Sequence, residues 1–138
     1  MNILFLCVGN SARSQIAEGL ANRMLPKTYN ICSAGSQPSG QVNKFAVQTM
    51  AEVGIDISSY QSKHVDNLEK DFMTNLDYAI TLCAEEVCPV LVSKAKILRW
   101  TNADPVNASY NDLESEIAFR KTRENIYNLL KKFLLEER

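Results

Sequence analysis

Cys7 and Arg13 stand six positions apart, separated by Val8, Gly9, Asn10, Ser11 and Ala12 and followed by Ser14 and Gln15. These residue types suit the capture of a doubly negative tetrahedral oxyanion by a nucleophilic sulfur. A loop of small and polar residues ahead of a helix turns successive backbone N–H groups toward one point, and the helix adds the positive end of its dipole. Gly9 permits a tight backbone. The planar guanidinium of Arg13 can grip two oxygens of the anion where a lysine would offer only a point charge. The same field favours the thiolate, the nucleophilic form of a cysteine, and the Ser14 hydroxyl can donate a hydrogen bond to it. Asn10 and Ser11 can brace the loop through side-chain to backbone bonds.

Attack by sulfur on an oxyanion needs a proton for the departing oxygen, and Asp104, followed by Pro105, is the candidate general acid. The chain has 4 cysteines, and two of the others bear on redox chemistry. Cys83 follows an apolar run as Cys7 does. Neighbouring parallel strands lie about 4.8 Å apart, within the reach of a disulfide, so Cys7 and Cys83 could pair if their strands are adjacent. Cys88 lies beyond Cys83 at a spacing that places the Cα atoms roughly 8.6 Å apart on a regular helix, so that pair closes only with local rearrangement. Pro89 disfavours a continuous helix there. Cys32 lies in an apolar strand and reads as core. His64, the single histidine, lacks partners at metal-ligand spacing and reads as a polar loop or helix-start residue, so no metal centre is expected.

The elements that must position these groups alternate. Strands are predicted over residues 3–6, 29–32 with an end at 33–35, 78–82 and 96–100. Helices are predicted from Ser14 to the stop at Pro26, from Val42 to Val53 with Gly54 as terminator, and over 65–72 as a short piece. A closing helix over 113–136 presents Ile117, Ile126, Leu129, Leu130 and Phe133 inward. Such alternation implies a parallel sheet with helices on both faces and ligands at the carboxyl ends of the strands. Trp100 is expected to pack near the acid loop.

A chain of 138 residues fits one domain, spanning 1–138, with a core of its own. The balance of 15 basic against 16 acidic residues gives no reason to expect nucleic acid or an acidic membrane as partner. The apolar start lacks the basic lead-in and cleavage site of a signal peptide, and no stretch approaches the roughly 20 apolar residues of a membrane span. The expectation is a soluble cytoplasmic monomer whose cysteines are catalytic, redox-active or buried rather than a disulfide framework.

The segment Cys7-Val-Gly-Asn-Ser-Ala-Arg-Ser-Gln-Ile-Ala-Glu-Gly19 resembles the signature of the low-molecular-weight protein tyrosine phosphatase superfamily. Within it the likeness is greatest to the thioredoxin-coupled arsenate reductases. Ser33-Ala-Gly35, residues 52–58, Thr81-Leu-Cys83, Cys88-Pro89, Trp100 and Asp104-Pro105 extend the match along nearly the whole chain. The resemblance implies a three-layer α/β fold with a four-stranded parallel sheet and helices on both faces. It implies reduction of arsenate: Cys7 attacks, Arg13 and Ser14 support the adduct and Asp104 protonates the leaving oxygen. Cys83 then releases arsenite, and Cys88 takes over the disulfide for re-reduction by thioredoxin, without a cofactor. Similar reductases carry a longer insert between the two thiols than residues 84–87 provide.

The alternative the resemblance leaves open is a phosphomonoesterase working through a phosphocysteine. Such phosphatases carry aromatic residues after the acid dipeptide, where Val106-Asn-Ala stands here. A non-enzymatic regulator that binds an anion or senses redox state is a third reading. Asn10, Glu18 and Ser33 match positions that hold a structural potassium ion in some similar reductases. Lys63 stands at the remaining carboxylate position, so its ammonium is expected to take the cation's place.

Overall fold

The computed structural model describes residues 1–83 and 94–136. Four short strands, β1 (Asn2–Cys7), β2 (Asn30–Gly35), β3 (Tyr78–Thr81) and β4 (Lys96–Arg99), form one parallel sheet in the order β2-β1-β3-β4. The period-2 alternation of β1 decides the layering. Ile3 and Phe5 join one core, with Ile16 and Leu20 of α1 (Arg13–Met24), Met50 of α2 (Lys44–Ala51) and Phe119, Ile126 and Leu130 of α4 (Asp112–Glu136). Leu4 and Leu6 join the other, with Ala34, Leu76 and Phe72, the last from α3 (Lys70–Thr74). The result is the expected three-layer fold.

Because β1 has β2 on one side and β3 on the other, the chain reverses its direction of progress across the sheet between β1 and β3. In an open parallel sheet that switch point leaves a crevice at the carboxyl ends. Cys7 ends β1, and Cys83 lies just beyond the end of β3. At the far side of β3, Trp100 follows β4 and packs on Phe5 and Phe133, with ring centroids 6.2 and 6.0 Å away.

Two sequence expectations are corrected. The single short helix over 65–72 is two pieces. Val65 and Leu68 both pack on the second core, and a 3-10 turn (Val65–Asn67) brings residues three apart into line, with the Leu68 N–H donating to the Val65 carbonyl at 3.3 Å. Leu68 is then extended, with φ −75° and ψ 150°, and α3 begins anew at Lys70. In α4, Ile117 is 56 % exposed. The inward face runs through Ser115, Phe119, Thr122, Ile126, Leu130 and Phe133. Ile117, two positions from both Ser115 and Phe119, falls about 200° round the helix from each. Leu129 is only half-buried, while Ile126, Leu130 and Phe133 point inward as expected.

The α2 end is clamped to α4 by charge. Arg120 holds Glu52 through three hydrogen bonds of 2.6 to 3.1 Å, and Arg123 adds a contact of 2.9 Å while also donating to the Thr49 carbonyl at 2.8 Å. The Arg120 hydrogen bonds are the main cause, with Arg123 adding to them, that brings the Glu52 carboxyl down to about 2. Among the described residues no helix is long and apolar enough to cross a membrane.

Candidate active site

The loop from Val8 to Ala12 has its carbonyls taken up one after another. The Val8 carbonyl accepts from the Gln37 N–H at 3.0 Å, Gly9 from the Ser39 N–H at 3.0 Å, Ser11 from the Asn43 N–H at 2.8 Å and Ala12 from the Ile16 N–H at 2.9 Å. Two side chains complete the set: Ser62 Oγ donates to the Gly9 carbonyl and Gln15 Nε2 to the Asn10 carbonyl, each at 3.0 Å. In a planar trans peptide the N–H points opposite to the C=O. The N–H groups of Gly9, Asn10, Ser11, Ala12 and Arg13 therefore face away from these outer donors and toward the interior of the loop.

Helix α1 opens directly from this loop. Its N-cap is Ala12, which has no side chain able to accept from the first-turn N–H groups. The orphan donors and the positive helix end thus add to the loop amides at one place, a ready site for an anion. Two backbone requirements hold the loop there. Asn10 has φ +46°, in the left-handed region that asparagine tolerates better than most residues. A Cβ on Gly35, at the end of β2, would collide with the Val8 carbonyl oxygen and stand 2.9 Å from that of Cys7, so glycine is needed for the close approach.

Cys7, 2 % exposed, sits at the mouth of the loop with its Sγ 2.8 Å from Ser14 Oγ. The direction of that bond follows from proton bookkeeping. The Asn10 amide is oriented because its Oδ1 accepts from the Lys63 N–H at 2.9 Å and from Gln15 Nε2 at 3.0 Å. Its Nδ2, which can only donate, gives one proton to Ser14 Oγ at 2.7 Å and the other to Ser33 Oγ at 3.0 Å. Ser14 accepts from Asn10 and so has its own proton for the sulfur. Ser33 likewise passes its proton to Glu18 Oε1 at 2.7 Å, and Lys63 Nζ lies 3.9 Å from the same oxygen and 3.2 Å from the Gln61 carbonyl. Burial pushes the Glu18 carboxyl up, against the opposing pull of the Ser33 hydrogen bond and the Lys63 charge.

Arg13 and Asp104 meet across the crevice. The Arg13 side chain is 4 % exposed; Nη1 donates to the Asn102 carbonyl at 3.0 Å, and Nη2 lies 3.8 Å from Asp104 Oδ2. Asp104 is 46 % exposed, and its Oδ1 accepts from the Val106 N–H at 3.0 Å, which closes the loop after β4. Asn102 donates through its own side chain to the Trp100 carbonyl at 2.9 Å, so the acid loop is tied to the aromatic packing beneath it.

Cys83 is buried and disulfide-bonded, whereas Cys7 and Cys32 are free thiols. Its Sγ is 3.9 Å from the Leu6 carbonyl oxygen, a van der Waals contact because a disulfide sulfur carries no proton. Cys7 ends β1 and Cys83 lies two residues past the end of β3, and those two strands are adjacent and parallel. The expectations for Cys88, and for its spacing from Cys83, lie outside the described residues. Cys32 is half-buried on β2 rather than fully in the core, and burial pushes its thiol up. His64 caps the 3-10 turn, its Nδ1 accepting from the Asp66 N–H at 3.0 Å.

The structure therefore brings Cys7, Val8 to Ala12, Arg13, Ser14 and Asp104 to one crevice. It adds residues whose roles the sequence does not signal: Gln15, Ser62, Asn43 and Asn102. Their signal is faint in sequence, because a buried amide in a helix's first turn reads as a surface residue until its partners are known.

A family model for low molecular weight phosphotyrosine protein phosphatases matches residues 2–137. An arsenate reductase of Bacillus subtilis is 41% identical over 133 residues, 95% of this chain and 93% of that protein. A solved arsenate reductase in its phosphate-binding state is 29% identical with a TM-score of 0.78, covering 99% of this chain and 98% of that one. A thioredoxin-dependent arsenate reductase of Corynebacterium glutamicum is 28% identical with a TM-score of 0.68, over 97% of this chain and 62% of the other.

Proposed function

The chain belongs to the low molecular weight phosphotyrosine protein phosphatase family, and we propose that it acts within that family as a thiol-dependent arsenate reductase. The observation that carries this reading is Cys83. It is buried, it follows the strand next to that of Cys7, and it is engaged in a disulfide while Cys7 is free. Hydrolysis through a phosphocysteine uses the Cys7 thiol alone, whereas release of arsenite calls for a second thiol within reach of it.

The site's geometry supports a balanced sequence of steps. Arsenate enters the ring of loop amides, bound by Arg13, and Cys7 Sγ attacks arsenic while Asp104 supplies the proton with which one oxygen leaves as water. The sulfur–arsenic bond then breaks when the Cys83 thiolate attacks Cys7 Sγ. The bonding pair stays on arsenic, which leaves as arsenite, and a Cys7–Cys83 disulfide forms. Attack by Cys88 on Cys83 frees Cys7 and carries the oxidation to a Cys83–Cys88 bridge, from which thioredoxin or a related dithiol removes it. The two electrons gained by arsenic are those lost by the two thiols. No cofactor enters the scheme, and a cytoplasmic setting with a reducing thiol pool suits it.

The test is a thioredoxin-coupled assay that follows NADPH oxidation on addition of arsenate. Turnover should vanish in Cys7→Ser and be lost in Cys83→Ser and in Cys88→Ser. Mass spectrometry of the stalled Cys88→Ser protein should find Cys7 joined to Cys83. Retention of the wild-type rate in either resolving-thiol variant, together with hydrolysis of a phosphate monoester, would replace the reductase by a phosphatase that uses the same cradle.

A further inference from the structure

We infer that Gln15 is the positioning residue that sets the peptide planes of the oxyanion loop, and through them the affinity for the anion; the inference rests on the oxyanion-site reading above. Gln15 is fully buried in the first turn of α1. Its single Nε2 faces three oxygens: the Asn10 carbonyl at 3.0 Å, Asn10 Oδ1 at 3.0 Å and the Gln61 carbonyl at 2.9 Å. Its Oε1, by contrast, is a buried oxygen with no hydrogen-bond partner among the described residues. Exchanging the two ends of the amide would set an acceptor against three acceptors, so the orientation is fixed by the surroundings. An orphaned buried oxygen is a cost that folds avoid. It is tolerated here because the other end of the same group does what a shorter or apolar side chain cannot.

Holding the Asn10 carbonyl outward turns the N–H of Ser11 inward, because the two belong to one planar peptide. Gln15 donates to that carbonyl, whereas the neighbouring Gly9 carbonyl has two donors, the Ser39 N–H and Ser62 Oγ. The bond to Gln61 also anchors the segment that grips the loop from outside, through Ser62 Oγ on Gly9 and the Lys63 N–H on Asn10 Oδ1. Gln15 thus joins the loop, the first turn of α1 and the 61–63 segment without touching the anion itself.

The role is read by anion affinity, not by activity alone. In Gln15→Met, which keeps length and loses the donor, sulfate affinity measured by titration calorimetry on the full chain should fall about ten-fold or more. The arsenate KM should rise in parallel with little change in kcat, since the loop amides hold the anion in ground and transition states alike. In Gln15→Glu the ionised carboxylate cannot donate, but the protonated acid has one O–H. The sulfate-affinity deficit relative to wild type should therefore narrow as the pH falls from 7.5 toward 5.

A residue needed only for packing would lower the melting temperature and the active fraction and leave KM and sulfate affinity untouched. Wild-type affinity and KM in both variants would overturn the inference, as would failure of both variants to fold, which would assign Gln15 to the fold alone. Gln15-dependent sulfate binding without arsenate reduction would sink the reductase reading and leave this one standing. Arsenate reduction indifferent to Gln15 would do the reverse.

Discussion

The Asn10 side-chain amide donates to Ser14 Oγ at 2.7 Å and by doing so aims the Ser14 proton at Cys7 Sγ, 2.8 Å away. A hydrogen bond to a charged group is worth about 1.5–3 kcal/mol, or roughly 10- to 100-fold in a rate that depends on it. Ser14→Ala should therefore slow alkylation of Cys7 by iodoacetamide at neutral pH by about ten-fold or more, read peptide by peptide by mass spectrometry so that Cys32 does not confuse the result. Alkylation at the wild-type rate would remove Ser14 from the nucleophile's support.

Gly35 has no room for a methyl group, because the obstruction is backbone of Val8 and Cys7 rather than a side chain that could swing away. Gly35→Ala should cost about 1–3 kcal/mol of stability and weaken sulfate binding, since any relief must displace the loop. Thermal melting and calorimetry on one sample check both at once. A stable variant with native anion affinity would show that the β2 end is not what holds the loop.

Two carboxyls push the pH dependence of stability in opposite directions. Glu52 is held down to about 2 by Arg120 and Arg123. Its folded value is depressed, so the stability it contributes is complete above the ordinary value of 4.5 and is lost as the pH falls toward about 2. Glu18 is raised by burial, so the folded state holds its proton more tightly and stability declines as the pH climbs from 4.5 through the folded value. Urea midpoints across this range should show Glu52→Gln losing the acid-limb dependence and Glu18→Gln flattening the slope above 4.5.

Lys63 Nζ at 3.9 Å from Glu18 places an ammonium beside the carboxylate that Ser33 also serves. On the proposal that this ammonium takes the place of a monovalent cation, exchanging sodium chloride for potassium chloride at constant ionic strength should leave turnover and melting temperature unchanged. A clear rise in either with potassium would retire the proposal.

The sequence carried the fold and the centre of the site because their signals are local. The apolar run before Cys7, the small residues up to Ala12 and the amphipathic stretch after Ser14 specify strand, loop and helix within a few residues of each other. Cys83 and Asp104 were placed by topology, since each follows a strand of the same parallel sheet and so reaches the same edge. Ile117 is the exception: it stands nine positions before Ile126, about 180° round an α-helix, so its spacing alone sets it opposite the face of Ile126, Leu130 and Phe133. Over 65–72 the sequence pattern does not separate one helix from two pieces, because Val65 and Leu68 fit an α-helical face and a 3-10 turn equally well. The grip of Gln15, Ser62 and Asn43 on the loop was hidden for a different reason: each bond joins segments distant in sequence or depends on side-chain orientation.

Ala12 at the head of α1 leaves that helix without a cap of its own making. The missing acceptor is then supplied by whatever anion occupies the crevice, so the folded chain and its cargo complete one another. Such linkage stabilises the protein in proportion to the logarithm of anion concentration once the site begins to fill. The protein would thus be sturdiest while loaded and loosest when the crevice stands empty.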